Sequence, residues 1–287
     1  MVPFPSYPQQ GPRSPAANDG CATLSRPGGT ARVLRLVHTS DVHLGAFSSK
    51  AESAWSGRNV LIEAAFRGVI DLALGEDADA LLIAGDFFDN DRVPQSVVDF
   101  AKTELRRFPG PKVLLPGNHD PLDAGRLYDR EDLEADVPGL QIVRDRNGQF
   151  LELDGLDAVF WGRGYHDDDW SFRPLAGLPE RLDGRHHIAL GHGHVAGPGD
   201  EHRSLLISQE ELQAAGSQWD YVALGHWEPH ADVSTGTTPA VYSGAPMPLS
   251  DANRKAGWAM VVDFGTGNVT WRAHPVDPRR RAGEFDA

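Results

Sequence analysis

The chain has 287 residues, 40% of them hydrophobic, a formal net charge of −14 and one cysteine, Cys21. That length suits one large domain, or one domain with an appendage, and the apolar content is enough for a core. The composition excludes a membrane-spanning helix, a secretory signal, an internal disulfide and a broad basic face for nucleic acid, and it predicts a cytoplasmic protein that does not enter membranes.

Residues 1–31 hold six prolines among Ser, Gly, Gln and Asn, so a disordered leader is expected there. The folded domain is expected over 32–275, with 276–287 as a C-terminal tail. A buried-type strand opens it at 31–38 and breaks into a loop carrying Asp41-Val42-His43. The spacing of Leu61, Ile62, Ala65, Phe66, Val69, Ile70 and Ala73 predicts a helix over 58–74, stopped by Gly75. Residues 80–84 are a continuous apolar run, which suits a central strand covered on both faces, and it ends in Gly85-Asp86-Phe87-Phe88-Asp89. A second helix is expected from Pro94 to about Arg107, and a third strand at 112–115 delivers Gly117-Asn118-His119-Asp120.

The second half reads as strand-rich, with strands near 140–144, 149–153, 157–161, 187–190, 220–224, 239–243, 257–264 and 268–273. One helix, 208–215, carries a capping box in Ser208 and Glu211, and Gly265-Thr266-Gly267-Asn268 predicts a hairpin between the last two strands. The whole predicts an α/β fold in four layers, α/β/β/α, with two sheets face to face and helices outside.

The polar blocks sit where apolar strands end, the place where open α/β sheets form their active crevices. In an extended loop, side chains two apart point the same way, so Asp41 and His43 can grip one ion. Asp86, held at a strand tip, has two oxygens with which to bridge two cations. Asn118 offers a neutral carbonyl oxygen, and the adjacent His119 points elsewhere, free to donate a proton or hold a phosphate oxygen. His192 follows a strand and Gly191, which favours it over His194 as a ligand. His226 has the same context after Gly225. Carboxylate, carbonyl and imidazole together suit manganese, with iron, zinc or magnesium as alternatives. Asp89 reads as a turn residue or a further ligand.

Taken together, Asp41-x-His43, Gly85-Asp86-x-x-Asp89, Gly117-Asn118-His119-Asp120, Gly191-His192 and Gly225-His226 resemble the calcineurin-like metallophosphoesterase superfamily. The stretches 38–45, 118–123, 221–226 and 242–250 are similar to its bacterial DNA-repair exonuclease branch, the SbcD-like nucleases. The resemblance implies that Asp41, His43 and Asp86 hold a first metal, and Asp86, Asn118, His192 and His226 a second. It makes His119 and Asn118 the catalytic residues, with His119 stabilising the transition state or protonating the leaving oxygen. Two cations about 4 Å apart would activate a hydroxide and clamp the phosphate for in-line attack.

The chain departs from the family in its last block, Gly225-His226-Trp227-Glu228-Pro229-His230, where a Gly-His-x-His is usual. Glu228 stands where the resemblance places the final ligand of the first metal. Either Glu228 takes that role, which is favoured, or His230 does. Nucleases of the branch continue into a capping domain and a segment that docks on a partner ATPase. Here few residues follow Ser250, so a compact or missing cap is expected, which puts an ATPase partnership in doubt. The expected function is a metal-dependent phosphodiesterase of the DNA exonuclease type. The alternatives are a phosphoesterase acting on a small molecule, such as a cyclic nucleotide or phosphomonoester, and a non-enzymatic relative with a weakened metal site.

Overall fold

Five apolar residues in a row, Ala80–Ala84, leave a strand with no wet face, so they demand packing on both sides. The computed structural model meets that demand with two stacked sheets. It describes residues 33–46, 56–197, 205–250, 253 and 255–281; the expected leader, with Cys21, lies outside the described residues.

The first half of the chain runs β1 (Leu34–Thr39), α1 (Ser56–Gly75), β2 (Ala80–Ala84), α2 (Gln95–Arg107), β3 (Lys112–Leu115), α3 (Leu127–Arg130), α4 (Leu133–Asp136) and β4 (Leu140–Ile142). Strands β1, β2, β3 and β4 lie parallel, in that order. The second half runs β5 (Gln149–Glu152), β6 (Ala158–Gly162), β7 (His186–His192), β8 (His194–Val195), β9 (Leu206–Ile207), α5 (Gln209–Gln218), β10 (Tyr221–Gly225), β11 (Ala231–Asp232), β12 (Ala240–Tyr242), β13 (Trp258–Gly265), β14 (Asn268–Pro275) and α6 (Pro278–Arg281). Strands β6, β7, β10 and β12 form the parallel centre of the second sheet, edged by antiparallel β5 and β11. The hairpin of β13 and β14 returns to the first sheet and pairs antiparallel with β1.

Side-chain alternation along each strand assigns the layers. Leu36, Leu82, Val113, Leu115, Phe160, Ile188, Leu190, Tyr221 and Val262 fill the space between the sheets. Their neighbours Val37, Leu81, Ile83, Leu114 and Val261 point outward and pack under α1 and α2 against Phe66, Ile70, Val98 and Leu105. On the far side Ala189, Val222 and Leu224 pack with Leu212, Ala215 and Trp219 of α5 and its cap. This is the four-layer sandwich expected from the sequence. The capping box is present: Ser208 accepts from the Glu211 amide, and Glu211 accepts from the Ser208 amide.

The differences are short elements. Two-residue strands β8, β9 and β11 and one-turn helices α3, α4 and α6 leave too few residues for a periodic pattern to show. Within the stretch expected as tail, Val276 and Asp277 are buried and α6 is formed, while 282–287 lie outside the described residues. Among the described residues no helix is long and apolar enough to cross a membrane.

The sheets approach most closely at their carboxyl edges. A Cβ at Gly225 would lie 1.8 Å from the Ala84 carbonyl oxygen, a backbone atom that cannot swing away. Gly225→Ala must therefore part the sheet edges, and we expect it to destabilise the fold by at least about 1–3 kcal/mol, as overpacking does. Chemical denaturation checks this; wild-type stability in the variant would contradict the packing described.

Candidate metal centre

Among the described residues six non-glycine residues have positive φ, and four of them are predicted ligands: Asp41 (52°), His43 (52°), Asp86 (50°) and His226 (94°). This corrects the expectation of an extended loop around Asp41 and His43. A left-handed backbone is unfavourable for these side chains and persists only where surrounding contacts impose it. Here the contacts are a ladder between two loops. The amides of Asp41, His43 and Leu44 donate to the carbonyls of Gly85, Asp86 and Phe87, each at 3.0 Å. The first and second strand tips are thereby bolted side by side.

The third loop is fixed by Asp120, which is fully buried. Its Oδ1 accepts from the Gly117 amide at 2.8 Å, and its Oδ2 from the Phe88 amide at 3.0 Å and the Tyr128 hydroxyl at 2.6 Å. Burial, with Asp86 nearby, still raises its carboxyl to about 6. Asp120 is therefore a clasp between loops. Gly117 completes the fit, since a Cβ there would stand 2.2 Å from Asp86 Oδ1.

These loops bring the predicted residues into two groups that share one carboxylate. His43, Asp86 and His119 form the first, and Asp86, His192 and His226 the second; in each group the candidate ligand atoms lie within 4.8 Å of one another. Asp86 Oδ2 is 3.8 Å from His43 Nε2 and 3.3 Å from His192 Nε2. Asn118 Oδ1 joins the second group, 3.2 Å from His192 Nε2 and 3.0 Å from His226 Nδ1. His192 Nδ1 donates to the Ala84 carbonyl at 2.9 Å, which turns Nε2 toward the group. Asp41 lies beside them, and both of its oxygens accept from the His226 amide, at 3.1 and 3.0 Å. Ligands about 2.0–2.2 Å from one ion stand at most about 4.4 Å apart. The groups therefore fit a cation each after a small contraction.

The charges favour cations too. Burial alone would push Asp86 up, but His192, His43 and His119 hold it well below the usual carboxylate range. Burial alone would push His43 and His192 down. Asp89, Asp86 and Asp41 instead raise His43 to about 9, and Asp86 and Asp41 do the same for His192. The carboxylates thus favour positive charge on both histidines. His226 is the exception: burial and the neighbouring His192 hold it neutral, at about 3.

A family model for calcineurin-like phosphoesterases matches residues 34–228, well over half of the chain. The chain belongs to the calcineurin-like phosphoesterase family. It is 27% identical to the SbcD subunit of the nuclease SbcCD from Escherichia coli K12, over 82% of this chain and 66% of that one. It is 25% identical to an uncharacterized metallophosphoesterase, YhaO, from Bacillus subtilis, over 85% of this chain and 61% of that one. The chain thus spans less than two thirds of the length of these relatives. Among solved structures, the fold is similar to TT1561 of Thermus thermophilus, with a TM-score of 0.50, 16% identity and coverage of 85% and 100%. It is also similar to a putative 5'-nucleotidase from Staphylococcus aureus, with a TM-score of 0.50, 11% identity and coverage of 89% and 58%. The family is one of metal-dependent hydrolases of phosphoester bonds.

The family match ends at Glu228, where the sequence leaves two ligands to choose between. Glu228 Oε2 accepts from the Asn253 side-chain amide at 2.8 Å, and Glu228 joins neither ligand group. His230 is turned away: its Nδ1 lies 3.3 Å from the Lys255 carbonyl and its ring packs against Trp258. His194 packs its ring against Trp227 and belongs to neither group. Asp89 stands behind the first group, 3.4 Å from His43 Nδ1, and its carbonyl lies 2.8 Å from His119 Nδ1. Sequence reasoning missed the clasp role of Asp120, although it stands inside the most specific block. It had no signal for Tyr128 or Asn253, which carry no motif.

A cation that takes the place of the protons on His43 and His192 must displace them. Metal affinity is therefore expected to rise with pH, by about tenfold per unit for each proton displaced, and to level off above pH 9, where both histidines are already neutral. Calorimetry of manganese binding in buffers of different ionisation heat measures those protons; binding that releases none would contradict the arrangement.

Proposed function

We propose that the chain is a divalent-metal-dependent phosphodiesterase that cuts DNA, with manganese as the working ion. The observation that carries the reading is Asp86, one buried carboxylate common to two ligand groups. On this reading Asp41, which stands in neither three-residue group, takes the place of His119 beside His43 and Asp86 at the first cation and leaves His119 free for the acid role, and Asp86, Asn118, His192 and His226 hold the second. Such a pair, when bound, supplies Lewis acidity to a phosphoryl oxygen and makes water a nucleophile near neutral pH.

The chain's own groups do the rest. Asn118 and His192 hold their ligand atoms within 3.2 Å of each other, so the phosphate approaches a preset surface. His119 is the acid. Its ring is partly open to solvent, its backbone amide donates to Asp86 Oδ1 at 2.9 Å, and Nδ1 is engaged by the Asp89 carbonyl. With Nδ1–H donated to the Asp89 carbonyl, it is the imidazolium form of His119 that carries a second proton on Nε2 and gives it to the leaving oxygen as the phosphorus–oxygen bond breaks in line with the attacking water, leaving the neutral ring. DNA as the substrate rests on the likeness to the SbcCD nuclease. A small phosphoester is the second reading, favoured by the net charge of −14, which does not attract a long polyanion.

Glu228 is assigned to complete the first site. Glu228 joins neither three-residue group, so it would have to turn toward the ion with the oxygen that Asn253 does not hold, whereas His230 already has its ring against Trp258.

Purified protein with manganese, offered bis(p-nitrophenyl) phosphate, p-nitrophenyl phosphate and single- and double-stranded DNA, tests the reading. Asp86→Ala is expected to lose both ions and more than about 100-fold of the activity, beyond the loss of an outer contact. His119→Gln is expected to keep its metal and lose about 10²–10⁴-fold, the range for a general acid. Activity on the monoester alone would overturn the nuclease reading.

Metal analysis separates the two candidates at the first site. Glu228→Ala is expected to release the first ion and keep the second, while His230→Ala keeps both. Unchanged metal content in Glu228→Ala would remove it from the ligand set.

A further inference from the structure

The loop between β6 and β7 is anchored to the catalytic loop. The Tyr165 carbonyl accepts from the Leu122 amide at 3.0 Å, and Asp123 Oδ2 accepts from the Asp167 amide at 2.9 Å. Arg126 adds an ion pair to Asp167 at 2.9 Å. Gly164 allows the approach, since a Cβ there would stand 2.5 Å from the Arg144 carbonyl oxygen and 2.7 Å from the Leu122 side chain. Leu122 and Asp123 follow His119 almost directly. Burial, with Asp167, Asp123 and Asp86, pushes the Tyr165 hydroxyl up to about 12. It stays a neutral donor at any physiological pH.

Five residues beyond Tyr165 the same loop presents Trp170, whose surface is 90% exposed. Among the described residues the next most exposed large apolar one, Val60, reaches 61%. A scattered exposed valine needs no explanation. An open indole on a loop tied to a catalytic loop is a different case. Five residues span at most about 18 Å, and a stacked strand advances about 3.4 Å per nucleotide. Trp170 therefore lies within about five nucleotide steps of the backbone anchor that Tyr165 makes to Leu122, three residues past His119.

The acidic residues beside it are already occupied. Asp167 pairs with Arg126, Asp168 with Arg146 at 3.2 Å, and Asp169 Oδ1 accepts from the Ser171 amide at 2.9 Å. An uncharged contact is also what this chain needs. At a net charge of −14 it cannot hold a polyanion by a broad basic face, whereas stacking on an aromatic ring does not depend on charge.

We infer that Trp170 is a stacking platform for a nucleobase of a single strand whose phosphodiester lies at the metal centre. This rests on the phosphodiesterase reading and narrows its substrate to nucleic acid with an unpaired segment. A base inside a duplex has both faces covered and cannot stack on the indole.

The probe is a short phosphorothioate oligothymidylate, single-stranded or annealed to its complement, titrated into the full chain with manganese and followed by anisotropy. Trp170→Ala is expected to weaken single-strand binding roughly 5- to 150-fold, the range for one stacked base, with metal content intact. Trp170→Phe is expected to recover most of it, and the duplex to bind weakly in every form. Equal affinity of wild type and Trp170→Ala, or no binding at all, overturns the inference. If the wild type still hydrolyses bis(p-nitrophenyl) phosphate in that case, the phosphodiesterase reading stands without it. If Trp170 proves necessary for binding while no diester is cleaved, the platform stands and the hydrolytic reading falls.

Discussion

Everything at this centre depends on one buried carboxylate at the tip of β2. Asp86 is nearly sealed from solvent, and an isolated ion there would be untenable. The fold resolves the conflict by surrounding it with groups that carry or accept positive charge. Histidines approach from two sides, His43 and His192, and the His119 amide donates from a third. The result is a negative point with cation-sized positions on both flanks. The carboxylates around them hold His43 and His192 above the ordinary imidazole range against the pull of desolvation.

Holding that carboxylate in place requires backbone that few side chains adopt willingly. Five loops from two sheets must converge within a few ångströms, and the chain achieves this by rigid means. Backbone hydrogen bonds couple the Asp41 and Asp86 loops, Asp120 ties the Gly117 loop to Phe88 and Tyr128, and Gly225 lets one sheet edge touch the other. The left-handed residues at Asp41, His43, Asp86 and His226 are the local strain that such convergence imposes, and they coincide with the ligands. Preset geometry of this sort lowers the reorganisation needed when a phosphate arrives.

The acidity of the chain and its chemistry are compatible once the centre is seen as a local inversion of charge. Away from the cleft, a net charge of −14 repels polyanions. At the cleft, cations held by Asp86 and its neighbours would reverse the sign where a phosphate must land. An uncharged substrate contact elsewhere suits that balance, which gives weight to Trp170 over a basic patch.

The sequence by itself determined the layers and the ligand types. Apolar runs such as 80–84 and 188–190 suit doubly covered strands, and a glycine followed by Asp, Asn or His after several of them marks the crevice. What it could not determine was direction. The Asp41 loop reads as extended, yet its hydrogen bonds to Gly85, Asp86 and Phe87 force left-handed turns that no local propensity favours. Asp120 reads as one more polar residue of its block and becomes a clasp only because Phe88 and Tyr128 come to it from distant segments. The same limit applies to Glu228 and His230, two acceptable ligands two residues apart. Asn253 holds one and Trp258 covers the other, and both partners come from beyond the block. Side-chain type is written locally, but the partner that orients a side chain is chosen by contacts between segments far apart in the chain, so only the tertiary structure decides it.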